Sequence, residues 1–68
     1  MKPQLSTRQA QVVERVARGL PDKRIAQELG ISVATVRAHI QTVADRIPGE
    51  ATRRHRLTLF FFGVLEAS

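Results

Sequence analysis

Two helical patterns separated by only three residues constrain the fold of this chain more than any other feature. The first, within residues 22–29, carries apolar residues at the spacing of a helical face, and Gly30 follows it at a position that usually needs a left-handed backbone. The second begins after Ser32, a favoured N-cap residue, and keeps a similar stripe to Ile47 before Pro48 and Gly49. A short helix, a tight turn and a longer amphipathic helix predict a helix-turn-helix.

One more helix is predicted before this pair. The apolar residues between Leu5 and Leu20 recur at intervals of three, four and seven. Ser6 and Gln9 stand three residues apart, as in a capping box, and Gly19 ends the pattern. Pro21 and Asp22 then suit the first turn of the next helix, Asp because a negative charge favours the positive end of the helix dipole.

The C-terminal segment, RLTLFFFGVLEAS, permits two interpretations. Its β-branched and aromatic residues suit a strand, but a lone strand beside three helices would have no pairing partner, so we predict a helix. The fold class is therefore all-α, a four-helix bundle-like helix-turn-helix domain formed by residues 1–68, with helices near 7–18, 22–29, 33–46 and 52–66.

The last predicted helix is apolar on nearly all sides. One possibility is that its side chains complete the core of a monomer, and the other is that they form the contact of a dimer. A chain of 68 residues without cysteine has no disulfides to stabilise it, which favours the dimer. The predicted dimer-interface residues are Leu57, Phe60, Phe61, Val64 and Leu65.

Composition narrows the classes of function. The net charge of +5 favours a polyanionic partner, nucleic acid first, although a solvated cationic surface is an equal alternative on charge alone. Two histidines and no cysteine argue against a metal site, and no catalytic constellation is visible, so we expect neither a cofactor nor an enzyme. No run is long enough to span a membrane and no secretion signal is seen, so we expect no membrane partner and a cytoplasmic location.

The third predicted helix has an outward face suited to a DNA groove. If Val36 faces the core, then small residues, one arginine and one glutamine point away from it. Alanines allow close approach, arginine can bind guanine O6 and N7, and glutamine can pair with adenine. The alternative is that these polar residues are simply solvated. The predicted base-contacting residues are Ala34, Arg37, Ala38 and Gln41.

Other polar residues flank that face and suit phosphate oxygens better than base edges. Lys23 and Arg24 are poorly placed for the helix dipole but well placed to bind a phosphate group. His39 is equally consistent with a half-buried ring, and Arg53, Arg54 and Arg56 with either phosphate contacts or a solvated face. The predicted phosphate-contacting residues are Lys23, Arg24, Ser32, Thr35, His39 and Arg46.

Residues 5–47, LSTRQAQVVERVARGLPDKRIAQELGISVATVRAHIQTVADRI, resemble the LuxR-type (LuxR/FixJ/GerE) helix-turn-helix domain of bacterial transcription regulators. The resemblance implies that helix 3 enters the major groove with Arg37 as its basic residue, and that helix 4 forms the dimer contact. Gln9 departs from the usual Glu, Pro21 and Asp22 from the usual Ser/Thr-Asn, and the pattern is not recognisable beyond Ile47. Because Met1 lies almost against the motif, we expect a stand-alone, GerE-like regulator or an isolated fragment.

Two functions follow as hypotheses. The first is a homodimeric regulator that binds double-stranded DNA in a sequence-specific manner. The second is a protein-interaction module that binds another LuxR-type regulator or RNA polymerase, chiefly through its phenylalanine-rich tail, and modulates its activity.

Overall fold

The computed structural model describes residues 5–67, and the side chains of residues 5–63. These residues form four helices and no strand: α1 (Thr7–Ala17), α2 (Asp22–Leu29), α3 (Val33–Ala44) and α4 (Arg53–Ala67). The prediction of an all-α helix-turn-helix domain is confirmed, and the strand considered for the C-terminal segment is wrong.

Local capping bonds explain where the first helices begin. Ser6 Oγ accepts the backbone N–H of Gln9 at 3.1 Å, and Gln9 Oε1 accepts that of Ser6 at 3.0 Å, so the predicted capping box is present. Helix α1 ends at Ala17, one residue before the predicted end at Arg18. Pro21 precedes α2 and gives it no side-chain cap, because proline lacks the hydroxyl of the Ser or Thr that is usual in LuxR-type domains.

The turn between α2 and α3 has the predicted geometry. Gly30 adopts a left-handed conformation, with φ of 67°, and its backbone N–H donates to the carbonyl of Ala26. Ser32 then caps α3, since its Oγ accepts the N–H of Thr35 at 3.0 Å. These two caps, separated only by Ile31, let the chain turn from α2 into α3 within three residues.

Helix α3 ends at Ala44, two residues before the predicted end at residue 46. The backbone N–H groups of Arg46 and Ile47 donate to the carbonyls of Val43 and Ala44, each at 3.0 Å. Such bonds to the third preceding residue tighten the last turn and end the regular α-helix. Helix α4 begins after Thr52, one residue later than predicted, and Thr52 Oγ1 accepts the N–H of His55 at 3.2 Å.

The core lies between α1, α2, α3 and the first half of α4, with α4 packed on α1 and α3. Aliphatic side chains of modest size fill it, which suits a domain measuring only 30 × 24 × 20 Å. The buried core residues are Val12, Val13, Val16, Ile25, Ala26, Val36, Ile40, Val43, Ala44 and Leu57.

One predicted dimer-interface residue belongs to this core. Leu57 is 0% exposed, so it is already covered within one subunit and cannot meet a partner; its assignment to the interface is wrong. Phe60 and Phe61 are half-buried and pack against the core. The side chains of Val64 and Leu65 lie outside the described residues.

Candidate nucleic-acid interface

One side of α3 is buried and the opposite side is open. Val36 and Ile40 face the core, whereas Ala34, Arg37, Ala38 and Gln41 are exposed. The predicted exposure of the four candidate base-contacting residues is therefore confirmed; their contact with bases stays a prediction. Because two of the four are alanines, little side-chain bulk would keep the helix from the floor of a groove.

The first turn of α3 carries two exposed hydroxyl groups. The Oγ of Ser32 and the Oγ1 of Thr35 lie 2.9 Å apart, joined by a hydrogen bond whose donor is either group. This bond fixes both hydroxyls at the helix N-terminus, where backbone N–H groups and the helix dipole favour an anion. A hydroxyl group here can donate a hydrogen bond to a phosphate oxygen; phosphate contact by Ser32 and Thr35 stays a prediction.

The start of α2 brings two basic side chains to the surface, and one of them already forms an ion pair. Arg24 donates from Nε to Oε2 of Glu28 at 3.1 Å, within the same helix. Lys23 is exposed and makes no ion pair with the described residues. A phosphate group would bind Lys23 directly, whereas at Arg24 it would compete with Glu28.

Glu28 accepts a hydrogen bond from a second arginine in addition to Arg24. Arg15 on α1 donates from Nε to Oε1 of Glu28 at 3.0 Å. The hydrogen bonds from Arg24 and then Arg15 stabilise the carboxylate and lower the pKa of Glu28 below its ordinary value. Arg15, which sequence reasoning passed over, is thus part of the link between α1 and α2.

A cleft of about 340 Å³ opens beside the exposed face of α3. Arg37 and Gln41 line one side of it, the first turn of α4 lines another, and Asp22 lies at the start of α2. The structure therefore places the two predicted base-reading side chains beside charged groups from two other helices. The residues lining the cleft are Asp22, Arg37, Ile40, Gln41, Arg53 and Arg54.

Asp22 joins three helices at this cleft. Its Oδ2 accepts the Nε–H of Arg37 at 3.3 Å, and its Oδ1 accepts a hydrogen bond from Nη1 of Arg54. Arg54 also donates from Nη2 to the carbonyl of Leu20. From the sequence, Asp22 is predicted to interact only with the helix dipole, because no local pattern shows that residues 22 and 54 meet.

The three arginines at the start of α4 differ in role. Arg54 is held by Asp22 and Leu20, and Arg56 donates from Nη1 to the carbonyl of Gly49 at 3.1 Å. Arg53 is exposed, lines the cleft and makes no hydrogen bond or ion pair with the described residues. Of the three, Arg53 is the one open to a phosphate group.

The other two predicted phosphate-contacting residues lie further along α3 and just beyond it. His39 is half-buried on the flank of the helix, and Arg46 is exposed after its end. The half-buried state of His39 agrees with the alternative prediction of a packed, half-buried ring, and it still leaves part of the side chain at the surface. Phosphate contact by His39 and Arg46 stays a prediction.

Helix α4 presents a pair of apolar side chains outside the predicted interface set. Leu59 is 57% exposed and Phe62 is 50% exposed. The ring of Phe62 meets that of Phe61 edge to face, with centroids 5.7 Å apart, which connects the exposed pair to the half-buried rings. These two residues are the open apolar surface of α4 within residues 53–63.

The described part of the chain shows no cluster of three or more His, Cys, Asp or Glu side chains that could hold a metal ion. Among its four helices, none combines the length and apolar character needed to cross a membrane.

Comparison with protein families agrees with the geometry. Residues 3–58 match the GerE family model, described as bacterial regulatory proteins of the luxR family, whose members are DNA-binding regulators. Comparison with curated proteins gave no match, and neither did comparison with solved structures. The match covers most of the 68 residues and all of α1, α2 and α3. The chain therefore belongs to the luxR family of bacterial regulatory proteins and carries that family's DNA-binding helix-turn-helix domain.

Proposed function

We propose that this chain is a transcription regulator that binds a specific double-stranded DNA sequence as a homodimer, with α3 in the major groove. The observation that carries the proposal is the exposed face formed by Ala34, Arg37, Ala38 and Gln41, opposite a fully buried Val36. A buried side fixes the rotation of α3, so the same four residues always face outward. Because the target is chromosomal DNA, we propose the cytoplasm as the place of action.

Arg37 and Gln41 read bases in this proposal. They lie four residues apart on α3, about one helical turn, so their side chains reach neighbouring base pairs. The guanidinium of Arg37 is suited to O6 and N7 of guanine, and the amide of Gln41 to N6 and N7 of adenine. Ala34 and Ala38 allow the helix backbone to come close and offer methyl groups for contact with thymine.

The phosphate contacts come from the residues around this face. Lys23, Ser32 and Thr35 lie at the N-termini of α2 and α3, where the sugar-phosphate backbone would cross. His39 and Arg46 extend the phosphate contacts along α3. Arg24 adds another when its hydrogen bond to Glu28 is replaced by one to a phosphate group. Arg53, which is exposed and lines the cleft, adds a further phosphate contact.

The homodimer part of the proposal rests on α4. Leu59 and Phe62 form an exposed apolar pair, and Phe60 and Phe61 lie half-buried next to them. In a two-fold dimer both subunits use the same patch, so the interface buries two copies of each side chain. The resulting pair of α3 helices would read two-fold-related half-sites.

Selection of bound sequences from a random DNA pool tests this proposal. We expect an enriched site with two related halves, because a symmetric dimer reads the same sequence twice. If each subunit neutralises about four phosphates, log K should fall with log salt at a slope near −7. A pool that stays random after selection would show that the chain does not read sequence.

Two substitutions separate base reading from phosphate binding. Arg37→Ala should cost about 1–3 kcal/mol in binding and remove the preference at one base pair in each half-site. Lys23→Ala is the matched control, because it should weaken binding to all sequences alike and reduce the salt slope. Loss of base preference in Lys23→Ala, with Arg37→Ala unchanged, would contradict the assignment.

The exposed Leu59 and Phe62 also support a second candidate function, contact with another LuxR-type regulator or with RNA polymerase. A heterologous partner would cover the same apolar pair that a second copy covers in the homodimer. Sedimentation of the chain alone, and then mixed with each candidate partner, separates the two. A stable self-dimer that binds DNA favours the first function, and a monomer that forms a mixed complex favours the second.

A further inference from the structure

The carboxylate of Asp22 lies between two arginines that come from different helices. Its Oδ2 accepts the Nε–H of Arg37 on α3 at 3.3 Å, while its Oδ1 accepts from Nη1 of Arg54 on α4. Arg54 is fixed at a second point, because its Nη2 donates to the backbone carbonyl of Leu20. Asp22 is thus held in place by Arg54, and Arg37 is held by Asp22.

The two side chains of the Arg37–Asp22 ion pair differ in exposure. The side chain of Arg37 is 72% exposed, whereas that of Asp22 is 24% exposed. An exposed ion pair between two long, flexible side chains contributes little, since both must lose rotamer freedom. Asp22 is short, begins α2 and already has one oxygen engaged by Arg54, so less freedom is lost when Arg37 binds its other oxygen.

The atom through which Arg37 contacts Asp22 determines which of its N–H groups remain free to bind a base. Arg37 contacts Asp22 through Nε, and the far end of the planar guanidinium still offers one N–H from Nη1 and one from Nη2, lying parallel to each other. A pair of parallel N–H donors is what a bidentate contact with guanine O6 and N7 requires. The contact with Asp22 can therefore persist while Arg37 binds a base.

A carboxylate on a DNA-facing surface also has a cost. It repels phosphate and lowers the affinity for every DNA sequence alike, because the electrostatic attraction between protein and backbone does not depend on the bases. An acidic group there can still improve discrimination between bases if it limits the directions in which the side chain of Arg37 can point. Asp22 thus fits a role in specificity better than a role in affinity.

We propose that Asp22, anchored by Arg54, is a positioning residue that aims Arg37 at its base and thereby sets specificity. This proposal rests on the proposed function, in which Arg37 reads a base. It differs from a purely structural role for Asp22 at the start of α2, since such a role would affect the stability of the helix but not the choice of base.

The first test measures discrimination at the base pair that Arg37→Ala identifies. Binding to the selected site is compared with binding to the same site changed at that base pair, for the wild-type protein, Asp22→Asn and Arg54→Lys. Arg54→Lys keeps every charge but loses the planar fork that bridges Asp22 and Leu20. We expect the discrimination ratio to fall by about two- to fivefold in both variants, the range of an exposed ion pair.

Asp45→Asn is the matched control. Asp45 is an exposed carboxylate next to the end of α3, and its substitution changes the net charge as Asp22→Asn does. Both variants should bind unrelated DNA at least as tightly as the wild-type protein, because each loses one negative charge. Only Asp22→Asn should lower the discrimination ratio; an equal fall in Asp45→Asn would overturn the proposal.

The outcomes distinguish this proposal from the proposed function. If Arg37→Ala loses the base preference while folded Asp22→Asn and Arg54→Lys keep the wild-type ratio, Arg37 reads the base without help and the positioning role is wrong. If Arg37→Ala itself keeps the preference, both the reading role of Arg37 and the positioning role of Asp22 are wrong.

A second measurement uses the wild-type protein alone, without DNA and without any substitution. In the free wild-type protein, the Nε–H of Arg37 should exchange with solvent more slowly than that of Arg53, by NMR. Arg53 is the matched comparison, since it is an arginine at the same cleft without an ion pair in the described residues. Equal exchange at the two arginines would overturn the proposal.

Discussion

Arg15 on α1 donates a hydrogen bond from Nε to Oε1 of Glu28 on α2, with the two atoms 3.0 Å apart. The other carboxylate oxygen accepts from Nε of Arg24 at 3.1 Å. One glutamate therefore joins two helices and also holds a side chain that we expect to contact phosphate. The fold and the proposed DNA-binding surface share this charge cluster, so we expect both to be sensitive to the protonation of Glu28.

Replacing Glu28 with glutamine should destabilise the protein at neutral pH but not at acid pH. The two arginines lower the folded-state pKa of Glu28, so the unfolded chain binds a proton at higher pH than the folded chain does. The stabilisation is complete above the ordinary value of 4.5 and disappears as the pH falls through the lower folded-state pKa. Urea unfolding of Glu28→Gln and wild type at several pH values measures this difference. Glu50→Gln is the control, and a Glu28→Gln difference that stays constant with pH would contradict the pKa assignment.

Leu57→Ala should destabilise the subunit by about 2–5 kcal/mol, because it opens a cavity beneath α4 in a fully buried position. A domain of this size has a free energy of unfolding of roughly 0.05–0.15 kcal/mol per residue, so the loss is a large share of the total. Leu59→Ala makes the same chemical change at an exposed position and should alter the subunit's stability by only about 0.5 kcal/mol. Urea unfolding of the monomeric species compares the two. Similar losses would place both residues in the core.

The contrast between Leu57 and Leu59 shows where sequence reasoning failed. Helix α4 is apolar on nearly all sides, so its periodicity does not indicate which side faces inward, and the predicted interface set included a core residue. Packing against α1 and α3 decides the orientation of α4, and this packing depends on contacts between distant parts of the chain. This packing buries Leu57 and leaves Leu59 and Phe62 exposed.

Features that depend on neighbouring residues were predictable. The capping bond between Ser6 and Gln9 and the cap of α3 at Ser32 each span three residues, and Gly30 supplies the turn by itself. The stripe on α3 was clear enough to predict which of its residues are exposed. By contrast, the contact between Asp22 and Arg54 spans 32 positions, and these charges meet only because α2 and α4 both pack against α1 and α3.

Two glycines should respond in opposite ways to the same substitution. Gly30→Ala places a side chain on a left-handed backbone, with φ of 67°, and should cost about 1–2 kcal/mol. Gly63 lies within α4 without a positive φ, so Gly63→Ala should stabilise the helix by up to about 1 kcal/mol. No neighbour lies within 4 Å of a Cβ built at either position, so steric clashes do not complicate the comparison. Thermal unfolding measures both changes, and a destabilised Gly63→Ala would show that α4 is not helical there.

Changing Leu59 and Phe62 to glutamine should separate the subunits while leaving each subunit folded. Both side chains are at least half exposed in the subunit, so burying them in a dimer is worth about 1 kcal/mol each. A two-fold interface contains four such side chains, so the double variant should weaken the dimer by about 4 kcal/mol, or roughly a thousandfold in Kd. Sedimentation equilibrium measures the change, and Ala10→Gln on the exposed side of α1 is the control. If the double variant stays dimeric, the subunits associate through another surface; if wild type is already monomeric, the homodimer proposal is wrong and DNA binding involves single subunits or a different partner.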